Sequence, residues 1–377
     1  MSFFNLIFFS SEKSFQYHIF AKKKMSKFFL VPVKSIKNLT TDSVNIEFDL
    51  SSLDSNLFSF KSGQYITIEH QINNDSVRRS YSISSSPETG IEIGVKLVPN
   101  GLMSTFLTTK LKEGDKLSIM PPTGNFLLDT DESNNNHYVG IAAGSGITPI
   151  MSMIKNVLIN EPLSSFTLIY GNKTKSSIMY SDEINLFNEK YNDRFSLYNI
   201  YSQEKINDSL FGRISGELLK NLFDQDSKIS NANSFFICGP GNMIENVRDF
   251  LDLVEIEDNK IKYELFSAPT LQKDEPKEGS ESSLISNVTV CVDGDDFEFK
   301  LPQNGQSILD AAMEAGADVP FSCKGGVCSV CKAKIIEGTA KMDMNYSLSE
   351  DDVEEGFVLT CQAHPTSENI YIDYDEM

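Results

Sequence analysis

No stretch of the 377-residue chain approaches the roughly 18 to 20 consecutive apolar residues that a membrane-spanning helix requires. Positive charge is also scarce, because 33 Lys and Arg residues stand against 53 Asp and Glu residues, for a net charge of −20. A protein that binds nucleic acid needs a basic surface to neutralise phosphates. The sequence therefore argues against nucleic acid as the main partner and predicts a protein that does not span a membrane.

We also expect no secretory signal, because such a signal carries its positive charges before its apolar stretch. In residues 1–24 the order is reversed, because Lys22, Lys23 and Lys24 follow the apolar residues. We expect a cytoplasmic protein in which residues 1–24 are an unstructured extension upstream of a natural start at Met25. A short amphipathic anchor at a membrane surface is the alternative.

The remaining chain is too long for one ordinary hydrophobic core, and its patterns predict three domains. Short β-rich runs at close spacing over residues 25–131 predict an antiparallel β-barrel. Strand, glycine turn and helix alternate over residues 132–268, which predicts an α/β domain with a parallel sheet. Residues 269–286, with two prolines and many charges, indicate a flexible linker before an α+β domain at residues 287–377.

Four of the six cysteines follow a C-x4-C-x2-C pattern with one distant partner: Cys323, Cys328, Cys331 and Cys361. A disulfide framework is typical of small secreted chains, and structural zinc usually pairs its ligands as two C-x2-C motifs. The observed spacing is instead that of a plant-type [2Fe–2S] cluster. We therefore predict that these four thiolates ligate such a cluster. Residues 287–377 resemble a plant-type ferredoxin, which implies a β-grasp fold and one-electron transfer.

A flavin motif is recognisable in the first domain. Arg79, Ser80, Tyr81 and Ser82 resemble the R-x-Y-S motif of the ferredoxin–NADP reductase superfamily. An arginine can neutralise flavin phosphates, a tyrosine can cover one ring face, and a serine hydroxyl can reach the nitrogen that accepts hydride. The resemblance implies that these residues bind FAD and that Ser82 acts at the reacting nitrogen. An ordinary strand with alternating polar residues is the alternative.

The segment that follows this motif predicts a second contact with the flavin. Gly101, Met103, Ser104 and Thr105 are expected to open a helix, whose free N–H groups and hydroxyls can bind a pyrophosphate. The alternative is a helix with ordinary caps.

Glycines after the first strand of the second domain predict the nicotinamide site. Gly144 and Gly146 allow a tight turn and a close approach to a pyrophosphate at a helix N-terminus, although the spacing is not G-x-G-x-x-G. In the superfamily that this segment resembles, the threonine of such a turn, here Thr148, lies beside the nicotinamide.

The end of the second domain contains two further resemblances to the superfamily. Cys238, Gly239 and Pro240 resemble its C-G-P motif, which implies that Cys238 lies near the carbon that carries the hydride. A packed core cysteine is the alternative. Glu264 and Phe266 lie in a segment that packs beside the flavin in relatives, so both are candidate site residues and Glu264 is a candidate catalytic group.

The choice of nicotinamide cofactor depends on positive charge, because NADPH carries a ribose phosphate that NADH lacks. Lys173 and Ser202 follow consecutive strands of the second domain, where that phosphate can bind. The arginine of the plant-type Ser-Arg-Glu stretch is missing, since Gln203 stands in its place. We predict NADPH, with NADH and solvated surface lysines as the alternative.

The domain order and the segments "AAGSGITPIMSMI" and "MDMNYSLSEDD" resemble the reductase subunits of phenylacetyl-CoA epoxidase (ring 1,2-monooxygenase) complexes. This resemblance implies a reductase of phenylacetate catabolism that passes electrons from NADPH through FAD and the cluster to a separate di-iron oxygenase component. The chain itself has no E-x-x-H pair on predicted helices for a di-iron site.

Other acceptors and another function class stay open. The same parts serve reductases of Rieske dioxygenases, demethylases and hybrid-cluster proteins, and a redox carrier or sensor without sustained turnover is a further alternative. The acidic residues are concentrated near the C-terminus, where residues 284–377 contain 18 acidic and 5 basic side chains. The acidic run 350–355 is a candidate docking surface for the electron acceptor, and the alternative is that these charges keep a small domain soluble.

Overall fold

A computed structural model describes residues 28–266 and 284–376. The predicted extension 1–24 and residues 269–283 of the predicted linker lie outside these described residues. The strands are β1 (Phe29–Thr40), β2 (Ser43–Phe48), β3 (Tyr65–Ile72), β4 (Asp75–Ser82), β5 (Glu92–Lys96), β6 (Lys116–Ile119), β7 (His137–Ala143), β8 (Ser165–Asn172), β9 (Phe195–Tyr201), β10 (Leu210–Phe211), β11 (Ser234–Gly239), β12 (Ile261–Leu265), β13 (Ile285–Val292), β14 (Asp295–Pro302), β15 (Lys332–Glu337), β16 (Ala340–Met342), β17 (Phe357–Leu359), β18 (Ala363–Pro365) and β19 (Asn369–Asp373).

The described residues form fewer α-helices than strands. They are α1 (Leu102–Thr109), α2 (Ile147–Asn160), α3 (Ser181–Lys190), α4 (Gly216–Gln225), α5 (Ser227–Ser230), α6 (Gly241–Leu253), α7 (Ile308–Glu314) and α8 (Glu350–Glu354). Within residues 28–266 and 284–376, no helix combines the length and the apolar character needed to cross a membrane.

The first domain is an antiparallel barrel. Its sheet order is β4-β3-β6-β1-β2-β5, and the two edge strands meet through a bridge between Ile83 and Ile93. Successive side chains of a strand point to opposite faces of the sheet. On β2, Val44, Ile46 and Phe48 therefore share the inner face and are buried in the core. The predicted barrel is therefore confirmed.

The second domain is a parallel sheet in the order β10-β9-β8-β7-β11-β12. Its strands are buried on both faces, as expected when helices cover a parallel sheet. On β8, Phe166 packs with residues of α2, whereas the neighbouring Ile169 packs with residues of α4 and α6. This alternation confirms the predicted α/β domain.

The third domain is built on a mixed sheet in the order β14-β13-β19-β15-β17. Strand β13 pairs antiparallel with β14 and parallel with β19, and it begins at Ile285, so the last two residues of the predicted linker lie in a strand. Ser307 caps α7 by accepting a hydrogen bond from the amide of Asp310, and the apolar face of α7 is buried. This arrangement is the α+β domain expected at the C-terminus.

The barrel and the parallel sheet pack directly against each other. Tyr180 donates a hydrogen bond to Oδ1 of Asn45 at 3.1 Å, and Ser62 donates to the carbonyl of Ser152 at 3.2 Å. Gly94 of β5 lies so close to the second domain that a Cβ atom there would lie 2.3 Å from Oη of Tyr180. A side chain at this position would push the two domains apart.

Candidate flavin, nicotinamide and cluster sites

The predicted flavin motif lies at the end of β4, beside the second domain. Ser82 is 5% exposed, and its Oγ donates a hydrogen bond to Oε2 of Glu264 at 3.0 Å. Tyr81 is half-buried, and burial raises the pKa of its hydroxyl. Arg79 is exposed, and its guanidinium donates to the carbonyl of Arg78 at 2.6 Å. The structure therefore places an exposed cation, an aromatic ring and a buried hydroxyl in sequence along one strand.

Glu264 is an acid whose surroundings change its protonation. Burial raises the pKa of its carboxyl to about 7, and the hydrogen bond from Ser82 opposes that shift. A carboxyl that titrates near neutral pH is a frequent property of functional sites. Ser82 and Glu264 thus form a proton-holding pair between the barrel and the parallel sheet.

Two further residues were predicted to bind the flavin: Ser80, which precedes Ser82 on β4, and Phe266, which follows Glu264 after β12. Ser80 is half-buried, and its Oγ donates to Oγ of Ser322 in the third domain at 2.9 Å. Phe266 directly follows β12 and is 43% exposed. Ser80 is thus engaged with the third domain, whereas the ring of Phe266 has a face open to a ligand.

Cys238 lies beside the Ser82–Glu264 pair on the neighbouring strand. It is opposite Glu264 in the parallel register of β11 and β12, and its side chain is fully buried. Burial, reinforced by the nearby Glu264 carboxylate, raises the pKa of its thiol. Gly239 is buried at the end of β11, and Pro240 stands at the N-terminal cap of α6. The C-G-P segment thus ends its strand at the edge that faces the barrel.

The start of α1 differs in one respect from the expectation. Gly101 is the N-cap residue, Met103 is buried and Thr105 is half-buried. The hydroxyl of Ser104 accepts a hydrogen bond from the amide of Val98 at 3.1 Å and faces the carbonyl of Gly101 at 3.4 Å. This hydroxyl is therefore engaged within the turn, which leaves the first-turn amides as the groups that suit a phosphate.

The glycine turn after β7 lies at the same domain boundary. Gly144 has a φ of 55°, and its carbonyl accepts a hydrogen bond from Tyr170 at 2.9 Å. A Cβ atom on Gly146 would lie 2.1 Å from the carbonyl oxygen of Cys238, so only glycine fits there. Thr148 is 2% exposed, and its Oγ1 donates to the carbonyl of Ser145 at 3.0 Å. These residues bring the turn close to the C-G-P segment.

The predicted ribose-phosphate residues lie near an unforeseen carboxylate. Lys173 is exposed, and Ser202 donates to the carbonyl of Asn172 through its amide at 3.0 Å. Oε2 of Glu204 accepts a hydrogen bond from the amide of Lys175 at 2.9 Å. Sequence reasoning missed Glu204, although an acidic residue after this strand is a signal for ribose hydroxyl recognition.

The four predicted cluster ligands lie together in the third domain. All are free thiols, and three are buried while Cys323 is partly exposed. The side chain of Cys323 hydrogen-bonds that of Cys328, and the side chain of Cys331 hydrogen-bonds that of Cys361. These contacts lower the pKa of the Cys323 and Cys361 thiols and raise the pKa of their partners, Cys328 and Cys331. The thiols therefore form two pairs.

The donor set fits a [2Fe–2S] cluster, because two thiolate pairs can each hold one iron. Backbone amides also point at sulfur atoms, as Gly325 donates to Sγ of Cys323 at 3.3 Å and Cys323 donates to Sγ of Cys328 at 3.4 Å. Such N–H groups stabilise negative charge at the cluster and adjust its reduction potential.

A second segment braces the cluster loop from outside. The carbonyl of Gly326 accepts hydrogen bonds from the amide of Tyr346 at 3.1 Å and from Oγ of Ser347 at 3.2 Å. Gln362 donates from Nε2 to the carbonyl of Lys324 at 3.0 Å. The segment "MDMNYSL", which contains no ligand, therefore holds the loop that contains three of them. Sequence reasoning did not identify Gln362, which directly follows the fourth ligand.

The acidic run 350–355 forms α8 and the residue after it. Asp352 is not free for a partner, because its carboxylate lies 2.5 Å from Nζ of Lys332 and accepts the amide of Ser349. Glu350 and Asp351 are exposed. They line a cleft of about 1150 Å³ that also contains Cys328 and acidic residues of α6.

Known domain families match the three domains in the same order. Residues 30–127 match the oxidoreductase FAD-binding domain, residues 141–249 the oxidoreductase NAD-binding domain, and residues 290–366 the 2Fe-2S iron-sulfur cluster binding domain. The fold and the site thus define an NAD(P)H-dependent oxidoreductase that contains flavin and iron–sulfur domains.

Full-length relatives narrow this class. The chain is 37% identical over 93% of its length, and 99% of the relative, to one of the subunits of 1,2-phenylacetyl-CoA epoxidase from Escherichia coli. It is 29% identical over 91% of its length, and 96% of the relative, to the ferredoxin reductase component of 3-ketosteroid-9-alpha-monooxygenase from Mycolicibacterium smegmatis. The chain belongs to the family of oxygenase reductase components that includes this phenylacetyl-CoA epoxidase protein.

Solved structures show the same three-domain fold. Phthalate dioxygenase reductase matches 92% of this chain and 98% of its own, with a TM-score of 0.57 and 22% identity. An intact type IV self-sufficient cytochrome P450 monooxygenase matches 92% of this chain and 41% of its own, with a TM-score of 0.67 and 19% identity.

The first prediction concerns the pH dependence of flavin reduction. Because burial raises the pKa of Glu264 to about 7, its carboxyl is protonated below that pH and charged above it. Glu264→Gln keeps an acceptor for Ser82 but cannot titrate, so the pH profile of flavin reduction, measured by rapid mixing with NADPH, should lose its turn near pH 7.

Ser82→Ala is the matched variant, because it removes the hydrogen bond and keeps the titrating carboxyl. We expect flavin reduction about tenfold slower, since a hydrogen bond to a charged group contributes about 1.5–3 kcal/mol. An unchanged profile in Glu264→Gln would show that this carboxyl does not titrate during the reaction.

The second prediction concerns cluster ligation. Cys361→Ser should abolish the visible absorbance of the cluster while flavin absorbance and flavin reduction persist, because the two groups lie in separate domains. The control is Cys291→Ser, a buried cysteine of β13 outside the ligand pattern. Cluster absorbance retained in Cys361→Ser, or lost in Cys291→Ser, would contradict the assignment of ligands.

Proposed function

We propose that this chain transfers electrons from NADPH, through FAD and the cluster, to the oxygenase component of a phenylacetyl-CoA epoxidase. The observation that carries the proposed acceptor is the 37% identity to the Escherichia coli epoxidase protein over nearly the whole of both chains. When bound, FAD accepts two electrons as a hydride and the cluster accepts one at a time, so the chain converts a two-electron donor into a one-electron supply. The oxygen chemistry belongs to the separate component.

The residues of this chain contribute position and protonation. The turn at Gly144 and the amides at the start of α1 orient phosphates. Thr148 stabilises the turn by donating a hydrogen bond to the carbonyl of Ser145. Ser82 and Glu264 hold a proton at the boundary between the barrel and the parallel sheet. Cys238 is buried behind that boundary, where its bulk limits how far a nicotinamide ring can enter.

NADPH is the proposed donor because Lys173 is exposed beside Ser202, where a ribose phosphate can bind. Glu204 favours the opposite choice, since a carboxylate repels a phosphate and accepts hydrogen bonds from ribose hydroxyls. The relative strength of these two charges at the ribose decides the preference between NADPH and NADH.

The charges that line the cleft beside the cluster favour an electron acceptor with a basic surface. The cleft is lined by Glu350 and Asp351 of α8 and by Glu245, Asp249 and Asp252 of α6, and its basic lining residues are Arg248 and Lys262. The negative field of these groups attracts a positively charged partner and orients it on approach. Because Cys328 also lines the cleft, a docked acceptor would lie close to the cluster.

A reductase for another oxygenase is the second candidate. It is favoured by the 28% identity over 84% of this chain to the reductase subunit of glycine betaine monooxygenase from Pseudomonas aeruginosa.

The third prediction tests the donor. The wild-type protein should show a higher kcat/KM with NADPH than with NADH. Lys173→Gln should lower the value for NADPH about tenfold and leave that for NADH unchanged, because a charge-assisted hydrogen bond contributes about 1.5–3 kcal/mol. Lys110→Gln, at an exposed position of the barrel, is the control. A preference for NADH that Glu204→Gln relaxes would instead assign the site to NADH.

The fourth prediction tests the acceptor. Mixed with NADPH and the oxygenase component of a phenylacetyl-CoA epoxidase, the holoenzyme should support product formation from phenylacetyl-CoA. The glycine betaine oxygenase, which the second candidate would serve, is the comparison. Equal or faster turnover with that oxygenase would contradict the proposed acceptor.

Charge reversal probes the docking surface in the same assay. The double variant Glu350→Lys and Asp351→Lys should raise the KM for the oxygenase at low salt, with a smaller difference at high salt. The double variant Glu298→Lys and Glu337→Lys, at exposed positions of β14 and β15, is the control for net charge. Flavin and cluster reduction should be unchanged in both variants.

A further inference from the structure

The cluster loop lies directly against the flavin barrel, and Arg78 is central to this contact. Arg78 precedes the flavin motif, and its side chain is only 12% exposed. Its Nε lies 2.8 Å from Oε1 of Glu69 within the barrel. Across the domain boundary, Nη1 donates to the carbonyl of Val319 at 3.5 Å, and Nη2 lies 3.4 Å from Oδ1 of Asp318. One guanidinium therefore contacts two domains.

Aromatic rings surround the same guanidinium. Its central carbon lies 4.6 Å from the ring centroid of Phe321 in the third domain and 4.9 Å from that of Phe28 at the start of the barrel. A guanidinium is weakly hydrated and planar, so it stacks well on aromatic rings at a buried boundary. In the sequence, Phe321 precedes the first cluster ligand, Cys323, by two residues.

Tyr65 of β3 makes the second contact. It is 4% exposed, and its hydroxyl donates a hydrogen bond to the carbonyl of the cluster ligand Cys328. Its ring packs with Met120 of the barrel and Val330 of the cluster loop. In the register of β3 and β4, Tyr65 is paired with Ser82. The residue opposite the flavin-motif serine thus contacts the backbone of a cluster ligand.

We propose that Arg78 and Tyr65 are positioning residues that hold the cluster loop against the flavin strand and thereby control electron transfer within the chain. The proposal rests on the electron route of the proposed function. In the step concerned, the reduced flavin loses one electron and the oxidised cluster gains it, and no group crosses the boundary. The rate of such a step depends on how closely the two sites approach.

The contacts suit a reversible docking rather than a permanent one. Asp318 is 94% exposed, so its ion pair with Arg78 contributes little. The ion pair of Arg78 with Glu69 lies wholly within the barrel, so Arg78 stays in place when the third domain moves away. The contacts that form and break on docking are the stacking on Phe321, the hydrogen bond of Tyr65, and the hydrogen bonds that Ser80 and Arg78 donate to Ser322 and Val319.

The test separates flavin reduction from cluster reduction. Anaerobic holoenzyme is mixed rapidly with NADPH, and flavin and cluster absorbance are followed at their own wavelengths. Arg78→Gln should leave flavin reduction unchanged and slow cluster reduction roughly tenfold, the factor that corresponds to about 1.4 kcal/mol of lost docking. Tyr65→Phe, which removes only the hydroxyl, should slow the same step by a smaller factor.

Lys34→Gln is the matched control, because it also removes a barrel cation paired with a glutamate, Glu47, at 2.6 Å. It should change neither rate. The second readout is hydrogen exchange of amides in residues 318–330 of the cluster-loaded protein, which should become faster in Arg78→Gln while the cluster absorbance stays intact.

Cluster reduction at the wild-type rate in Arg78→Gln, or an equal slowing of flavin reduction, would overturn the proposal. Unchanged exchange of residues 318–330 would do the same. Failure of the wild-type protein to reduce its own cluster would instead contradict the proposed function, so the two failures are distinguishable.

Discussion

The hydrogen bond between Ser82 and Glu264 joins the two domains that must share one flavin. One partner ends a barrel strand, and the other lies near the end of an edge strand in the parallel sheet. Because parallel strands all end at one edge, the glycine turn after β7 and Cys238 on β11 reach the same boundary. In the proposed function, hydride transfer therefore depends on how the barrel packs against that edge.

This packing explains why small residues recur at the boundary. Gly94 leaves room for Thr148 and Tyr180, and Gly146 leaves room for the backbone of Cys238. A Cβ atom at either glycine would lie well inside normal contact distance of the opposing atoms. The missing side chain at Gly94 lets the barrel approach the parallel sheet closely, and the missing side chain at Gly146 lets the turn after β7 pack against β11 within the second domain.

The cluster loop faces a different constraint, because its backbone must bend around the thiols. Lys324 and Ser329 both adopt positive φ values of 51°, which non-glycine residues rarely do. Such strain persists only where surrounding contacts hold the chain. The brace from Tyr346 and Ser347, together with Gln362, supplies those contacts. The loop meets Tyr65 of the barrel at the carbonyl of Cys328, and both residues line the cleft beside the cluster.

From the sequence alone we predicted the fold of each domain and the four cysteines that the structure brings together, because alternation and cysteine spacing are local patterns. It also named Ser82 and Glu264, but their contact spans 182 residues and depends on the packing of two domains. Sequence reasoning used no local signal that pointed to Arg78, Tyr65, Gln362 or Glu204. The contact of Tyr65 with Cys328 spans 263 residues, and such pairs meet only when separately folded domains dock. Tertiary structure alone decided them, since docking depends on the shapes of whole surfaces rather than on the spacing of residues along the chain.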